Sequence, residues 1–298
     1  METLEALQRR IETGRDLQSI VRTMKTLSAV TIRRCETASR AVRSYDETVD
    51  LGLQILLRNA DVADRAIRAS EQADASGPVG IIALGTDHGL CGRFNDLVAT
   101  ATDAQIEKYP ADPVRTVAVG VRVADLIEAG GCLPAAIYSM PGSVTGIRET
   151  TRALLSLIED WRETQGIARV RIVHNVHSAD GRTMPVAMSL LPISPAFLRH
   201  QAGRPWPSRR LPTYFENRDT VLARLLEQHV FVRIYRAIAE SQVSEHAARL
   251  SSMQAAERGI RDRLSEMDAA YRSRRQEQIT TELLDIVAGA AASGLDNR

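Results

Sequence analysis

The sequence predicts two long terminal helices, paired as an antiparallel coiled coil, with an α/β domain inserted between them. Three observations lead to this class. Apolar residues near both ends of the 298-residue chain recur at helical spacings of three and four. Prolines are absent before Pro78 and after Pro212, so both ends lack the residue that most strongly breaks helices. Between the ends, short strand-like runs alternate with helical ones, as in a sheet with crossover helices.

The composition allows a core but excludes several functional classes. Hydrophobic residues make up 44% of the chain, whereas aromatic residues make up 4%, a low share for a compact enzyme. The formal net charge is +1, and general nucleic-acid binding needs a large positive excess. No apolar run reaches the roughly 18 residues of a membrane span, and the N-terminus lacks a signal-peptide pattern. We therefore expect a cytoplasmic protein, or one peripheral to a membrane, with no nucleic-acid partner.

The N-terminal periodicity predicts one helix from about residue 3 to about residue 58, loosened at Gly14. At 1.5 Å per residue it would be about 80 Å long, more than the width of a globular domain. Its predicted apolar seam consists of Leu4, Leu7, Ile11, Leu17, Ile20, Met24, Leu27, Thr31, Cys35, Ala38, Val42, Tyr45, Val49, Leu53 and Leu56.

The C-terminal periodicity predicts a second helix, from about residue 217 to about residue 290. Glu257 fills a polar gap in its seam, and the apolar face is expected to end at Gly289. Heptad helices at the two ends of one chain favour an antiparallel coiled coil. The predicted seam comprises Leu250, Met253, Ile260, Leu264, Met267 and Tyr271, preceded by Val221, Leu225, Val232, Tyr235 and Ile238 and followed by Ile279, Leu283, Ile286 and Val287.

Residues 77–195 are predicted to form an open α/β sheet with Rossmann-like layering. The strand candidates are "VGIIALGT", "TVAVGV", "AAIYSM", "VRIVHNVHS" and "MPVAMSLLPI", and helical runs separate the first four. A polar linker, "EQADASGP", is expected before this domain. A proline-rich basic loop, "SPAFLRHQAGRPWPSRRLPT", is expected after it.

The stretch "GTDHGLCGRFN" follows the first strand, where sheets of this kind often bind ligands. Its glycines do not have the GxGxxG spacing, and no GK[ST] follows. We interpret it as a structural turn in preference to a nucleotide site, with Gly89 and Gly92 at positive φ and Leu90 and Cys91 packed beneath. No cofactor is expected.

The cysteines and histidines show no spacing typical of a metal site. Cys35, Cys91 and Cys132 form no CxxC pair. His174 and His177 are three apart in a strand, so they point to opposite faces. No metal site is therefore expected.

The stretch "SEH" contains the residue types of a catalytic triad, at Ser244, Glu245 and His246. Neighbouring helical positions diverge by about 100°, however, so these side chains cannot converge on one atom. We interpret the stretch as structural, with Glu245 and Arg249 as an i, i+4 ion pair. No catalytic residue is predicted.

Three segments carry a resemblance to the gamma subunit of the F-type ATP synthase. They are "LQRRIETGRDLQSIVRTMKTLSAVTIRR", the "LGTDHGLCGRFN" turn, and "SEHAARLSSMQAAERGIRD" with the later "YRSRRQEQITTELLDIVAGAAA". His88 and Arg93 depart from the arginine and glycine usual in that family, a difference that a divergent copy of the complex would show. The resemblance spans nearly the whole chain in the family's order.

The resemblance implies that residues 1–60 and 210–292 form a rotating central shaft inside a ring of alpha and beta subunits. Residues 77–195 would form a foot domain beside the epsilon subunit and the membrane c-ring. The shaft would couple ion translocation to ATP synthesis or hydrolysis without bond chemistry or a small-molecule substrate of its own. It would lie peripherally on the cytoplasmic face of a bacterial plasma membrane.

The resemblance also implies which residues contact the acidic catch loop of the beta subunit. They are Met24, Lys25, Arg272, Arg275, Gln276 and Thr280. Arg272, Arg274 and Arg275 would then form a basic collar. Gly89, Cys91 and Gly92 would form the structural turn.

Two other functions remain open from the residues themselves. A coiled-coil scaffold could use the α/β domain to bind an unrelated partner. A nucleotide-dependent enzyme could use the long helices as a dimerisation arm.

Overall fold

The computed structural model describes residues 3–178, 180–210 and 212–295, with side chains up to residue 288. Residues 1, 2 and 211 of the predicted terminal segments, and the side chains of 289–292, lie outside the described part. The elements are α1 (Leu4–Leu57), α2 (Ala60–Ala75), β1 (Val79–Leu84), α3 (Phe94–Ile106), β2 (Val114–Val119), α4 (Val121–Ala129), β3 (Ala136–Tyr138), α5 (Val144–Gln165), β4 (Arg169–His177), β5 (Thr183–Leu191), α6 (Pro195–Gly203) and α7 (Arg218–Leu295).

The two terminal helices are continuous over 54 and 78 residues. α7 passes the expected end near residue 290 and reaches Leu295. The loosening expected at Gly14 is wrong, because α1 is helical throughout. A Cβ at Gly14 would lie 2.9 Å from Leu264 Cδ2, so the glycine provides close approach between helices.

Among the described residues, those up to Leu27 and those from Leu250 onward form one compact unit, and those between Ser28 and Arg249 form a second. In the first unit α1 and α7 run antiparallel. Leu7 and Ile11 pack with Leu264, whereas Lys25, later in α1, pairs with Glu257, earlier in α7. This pairing confirms the predicted antiparallel coiled coil.

The predicted seam of α1 is partly wrong in the first unit. Leu17, Ile20 and Leu27 are 48%, 55% and 61% exposed, whereas Val21 is 9% exposed. The stripe that faces α7 instead runs through positions 7, 11, 14, 18 and 21, with 7, 11 and 21 buried and 14 and 18 half-buried. These positions alternate at spacings of four and three, as in a heptad, and periodicity alone did not distinguish them from the neighbouring apolar stripe. The α7 seam is confirmed from Leu250 to Tyr271, where Met253 and Leu264 are buried. Its predicted continuation is wrong in this chain, because Ile279, Leu283, Ile286 and Val287 are each more than half exposed.

The second unit contains a five-stranded sheet in the order β3-β2-β1-β4-β5. The first four strands are parallel, and β5 pairs antiparallel with β4. This order is that of a doubly wound sheet extended by an antiparallel edge strand. The predicted α/β class is therefore confirmed.

Two core clusters cover the faces of the sheet. One face packs against α3 and α4, through residues such as Ile81, Val98 and Ile127. The other packs against α5 and against the parts of α1 and α7 that belong to this unit, through residues such as Ile82 and Leu154. The terminal helices thus replace part of the usual second helical layer, which attaches them to the sheet through apolar burial.

Two helices were missed in the sequence. α2 begins at Ala60 and continues to Ala75, through most of the expected linker. Asn59 caps its N-terminus, because the Asn59 side chain accepts a hydrogen bond from Val62 N. α6 begins at Pro195 and buries Leu198 within the expected loop. Both are short and polar on one face, so their composition resembles that of a loop. In the described part of the chain no helix is long and apolar enough to span a bilayer.

Candidate functional site

Glu257 is the polar residue in the seam of α7, and two cations of α1 neutralise it. Lys25 Nζ lies 2.6 Å from Glu257 Oε2, and Arg22 Nε lies 3.2 Å from Oε1. Hydrogen bonds from Lys25 and then Arg22 lower the pKa of the Glu257 carboxyl below its usual value. Lys25, one of the predicted partner contacts, is thus already engaged within the chain.

The structure divides the predicted partner contacts into two groups. Met24 and Lys25 lie at the level of Glu257, whereas Arg275 is 18 residues further along α7, which is about 27 Å. Arg272, Arg275, Gln276 and Thr280 are all exposed. The sequence treated these residues as one set, but the structure does not bring them together.

The exposed group on α7 continues into an apolar stretch of the same helix. Arg272 and Gln276 share one face with Ile279 and Leu283, because these positions are three and four residues apart. The large apolar side chains that are more than half exposed there are Ile279, Leu283, Leu284, Ile286 and Val287. Apolar patches of this kind mark surfaces that a partner covers.

The "GTDHGLCGRFN" turn is held by hydrogen bonds on every side. The Asp87 carboxylate accepts from Val121 N at 3.0 Å and from Met140 N at 2.9 Å, which joins the turn to α4 and to the segment after β3. Asn95 Oδ1 accepts from Thr86 N at 3.0 Å. The turn is therefore a packed connection at the end of β1.

The backbone of the turn differs from the expected one at two positions. Positive φ occurs at Leu90 (65°) and Gly92 (60°), and Gly89 does not have it. Leu90 is 60% exposed, so only Cys91 packs beneath the turn. Gly85 is the position in the turn where a side chain would not fit, because a Cβ there would lie 2.3 Å from Val123 Cβ. Its role depends on a helix packed across the turn, which sequence spacing does not reveal.

Arg249 connects the turn to α7. Its Nη2 donates to the carbonyls of His88 and Gly89 at 3.4 and 3.3 Å. The same nitrogen lies 2.6 Å from Glu245 Oε1, which confirms the predicted i, i+4 ion pair. Both side chains are buried, however, so the pair is an internal anchor. Burial raises the Glu245 pKa, and Arg249 opposes this shift.

The "SEH" stretch has a packing role. Ser244 Oγ is buried without a hydrogen-bond partner in the described structure. His246 Nδ1 lies 3.4 Å from Arg249 Nη1, and desolvation, followed by the Arg249 charge, lowers the His246 pKa to about 4. Glu245 and His246 both contact Arg249, through different nitrogens of its guanidinium, and Ser244 takes no part in this contact.

These features define a class of protein: a subunit with two antiparallel terminal helices, an inserted doubly wound domain anchored to them, and an uncovered apolar helix end. A family model described as ATP synthase matches residues 3–292. The chain therefore belongs to the ATP synthase gamma-chain family, the central-stalk subunits of that complex.

Individual relatives agree with this assignment. The chain is 28% identical to an ATP synthase gamma chain of Granulibacter bethesdensis, over 98% of this chain and 100% of the relative. It is 26% identical to that of Nitratiruptor sp., over 98% and 99%. In fold it is similar to a chain of the Euglena gracilis mitochondrial ATP synthase rotor, with a TM-score of 0.61, 15% identity, and coverage of 93% and 98%. A chain of the same organism's OSCP/F1/c-ring structure gives a TM-score of 0.62 at 17% identity, with coverage of 97% and 94%.

Proposed function

We propose that this chain is the rotor of a rotary ATP synthase or ATPase, coupling ion translocation through a c-ring to ATP synthesis or hydrolysis. Residues 1–60 and 210–292 act as the shaft inside a ring of alpha and beta subunits, and residues 77–195 act as the foot beside epsilon and the c-ring. The observation that carries the proposal is the uncovered apolar end of α7, from Ile279 to Val287. A sleeve formed by a surrounding ring would cover such a surface on all sides.

The chain performs no bond chemistry in this proposal. Its contribution is mechanical, since an asymmetric rod favours a different conformation of each beta subunit at each angle. In energetic terms this is differential binding to the open and closed states of the catalytic subunits. The protein acts peripherally, at the cytoplasmic face of a bacterial plasma membrane.

A rotor also needs a firm attachment between the shaft and the domain that receives torque. The Arg249 anchor supports this requirement, because a buried guanidinium bonds both the α7 carboxylate and the turn carbonyls. Apolar contacts of α1 and α7 with the sheet add to it. Torque applied to the α/β domain would therefore pass directly to α7.

The catch loop of the beta subunit is proposed to bind Arg272, Arg275, Gln276 and Thr280, with Met24 and Lys25 at a second level. The first four are exposed on consecutive turns of α7 and available to an acidic loop. Contacts that must be remade at each step should be weak, and exposed ion pairs contribute about 0.2–1 kcal/mol each.

The test is Arg275→Ala with Gln276→Ala in the assembled complex. We expect normal assembly but reduced ATP-driven ion pumping and ATPase rate. A matched control is Gln254→Ala with Arg258→Ala, which removes the same residue types from an exposed part of α7. Wild-type turnover in the first variant at low and moderate salt would contradict the contact. Failure of the wild-type chain to co-purify with alpha and beta subunits would contradict the rotor function and favour the scaffold.

A further inference from the structure

A cluster of three potential metal ligands lies between α1 and α7, within the second unit. Asp46 and Asp50 are four residues apart on one face of α1, and His229 faces them from α7. One ligand atom from each residue can be chosen so that all three lie within 4.8 Å of one another. The group borders a cavity of about 320 Å³.

The histidine provides an observation that is independent of the acidic pair. His229 is 4% exposed, and both of its ring nitrogens lack a hydrogen-bond partner in the described structure. Its Nδ1 points toward Asp50 Oδ1, 3.8 Å away, an oxygen that also lacks a partner. Buried polar atoms without partners are uncommon, and an ion is one of the things that satisfies them.

We propose that Asp46, Asp50 and His229 form a binding site for a divalent transition-metal ion of the zinc type. One nitrogen and two carboxylate oxygens suit Zn²⁺, whereas Ca²⁺ and Mg²⁺ prefer oxygen ligands alone. Tetrahedral zinc with bonds near 2.0–2.1 Å places its ligand atoms about 3.4 Å apart. The 3.8 Å between Nδ1 and Oδ1 is close to this spacing. Three protein ligands leave one position for water.

Surrounding groups orient the ligands and limit the affinity. The Phe197 ring stacks on His229 with centroids 4.5 Å apart, which fixes the imidazole plane. Arg236 Nη1 donates to Asp46 Oδ2 at 3.1 Å, so the other oxygen of that carboxylate is the one to bind the ion. Arg236 and Arg233 add positive charge near the cavity, and Glu240 offsets part of it. We therefore expect selective binding of moderate strength.

The site does not depend on the rotor function, and the full-length chain is sufficient to test it. Zn²⁺ should raise the melting temperature by roughly 5 °C at a free concentration about 100-fold above its Kd. Mg²⁺ should produce no shift. Co²⁺ should give a visible absorption band without the near-ultraviolet charge-transfer band of cysteine ligands. His229→Gln and Asp50→Asn should each weaken Zn²⁺ binding at least tenfold in titration calorimetry.

The matched control is His177→Gln, which removes an exposed histidine and should bind Zn²⁺ like the wild type. Circular dichroism identifies any variant that misfolds, and Asp50→Asn keeps the side-chain volume if His229→Gln does not fold. The proposal is overturned if the wild type shows no saturable Zn²⁺ binding or if Asp50→Asn binds like the wild type. It is also overturned if Mg²⁺ gives an equal shift or if cobalt reports thiolate ligands.

Discussion

Lys25 Nζ lies 2.6 Å from Glu257 Oε2, so an acid within the α7 seam is neutralised by a cation from the facing helix. Glu257→Ala leaves Lys25 and Arg22 without this partner at the helix interface. We expect the melting temperature to fall by about 2–4 °C. Glu266→Ala, which changes an exposed acid on the same helix, should have no measurable effect. Equal melting temperatures for both variants would show that the pairing does not stabilise the coiled coil.

The pairing of Glu257 with Lys25 also predicts that the stability of the protein depends on pH. Lys25 and Arg22 face Glu257 from α1, Arg261 faces it from α7, and hydrogen bonds from the first two lower its pKa in the folded state. A carboxyl with a depressed folded pKa stabilises above its unfolded pKa and loses this effect as pH falls through the folded value. The melting-temperature gap between wild type and Glu257→Gln should therefore persist from about pH 7 to about pH 5 and narrow below about pH 4.5. A gap that narrows above pH 5 would indicate another titrating group.

The two glycines Gly85 and Gly89 of the turn after β1 should differ sharply in how much substitution by alanine destabilises the protein. Gly85→Ala places a Cβ 2.3 Å from Val123 Cβ, and we expect a loss of about 1–3 kcal/mol in the free energy of unfolding. Gly89→Ala is the control, because a Cβ there meets nothing within 4 Å and φ is not positive. It should change stability by less than about 0.5 kcal/mol. Urea unfolding of both variants measures the difference, and equal losses would contradict the packing at Gly85.

Replacing Arg249 should lower stability chiefly because the Glu245 carboxylate then stays buried without a partner. Arg249→Met keeps an apolar stem but leaves Glu245 buried without its partner, which should cost about 3–5 kcal/mol. The double variant Glu245→Leu with Arg249→Met removes both charges and should recover most of that loss. Chemical denaturation of the two single variants and the double variant gives the coupling energy. Additive losses would show that the two side chains do not act as a pair.

Ser244 provides a test of the structural interpretation of "SEH". Its hydroxyl is fully buried and lacks a hydrogen-bond partner in the described structure. Ser244→Ala removes an unsatisfied polar group and improves helix propensity, so stability should be unchanged or rise by up to about 1 kcal/mol. In the assembled complex, ATPase activity should equal that of the wild type. A large loss of activity in a stably folded variant would reveal a chemical role for this serine.

Periodicity and spacing were sufficient to predict the long helices, their antiparallel pairing and the alternating α/β domain. These properties are local, or follow from where apolar residues recur along one element. The same reasoning failed where two stripes on one helix are both apolar. Leu17 and Val21 are equally acceptable seam residues in the sequence, and the facing helix determined that Val21 is buried and Leu17 exposed. α2 and α6 were missed because short polar helices have the composition of loops.

Contacts between residues far apart in the chain were decided by the tertiary structure alone. Nothing local connects Arg249 with the carbonyls of His88 and Gly89, or His229 with Asp46 and Asp50. Spacing rules identify ligands that one helix or loop supplies, whereas these groups meet only after two elements have packed. The class of the fold and the available residue types followed from local sequence patterns. Packing determined which of them became neighbours, because burial selects one face of each helix and brings residues from distant parts of the chain together there.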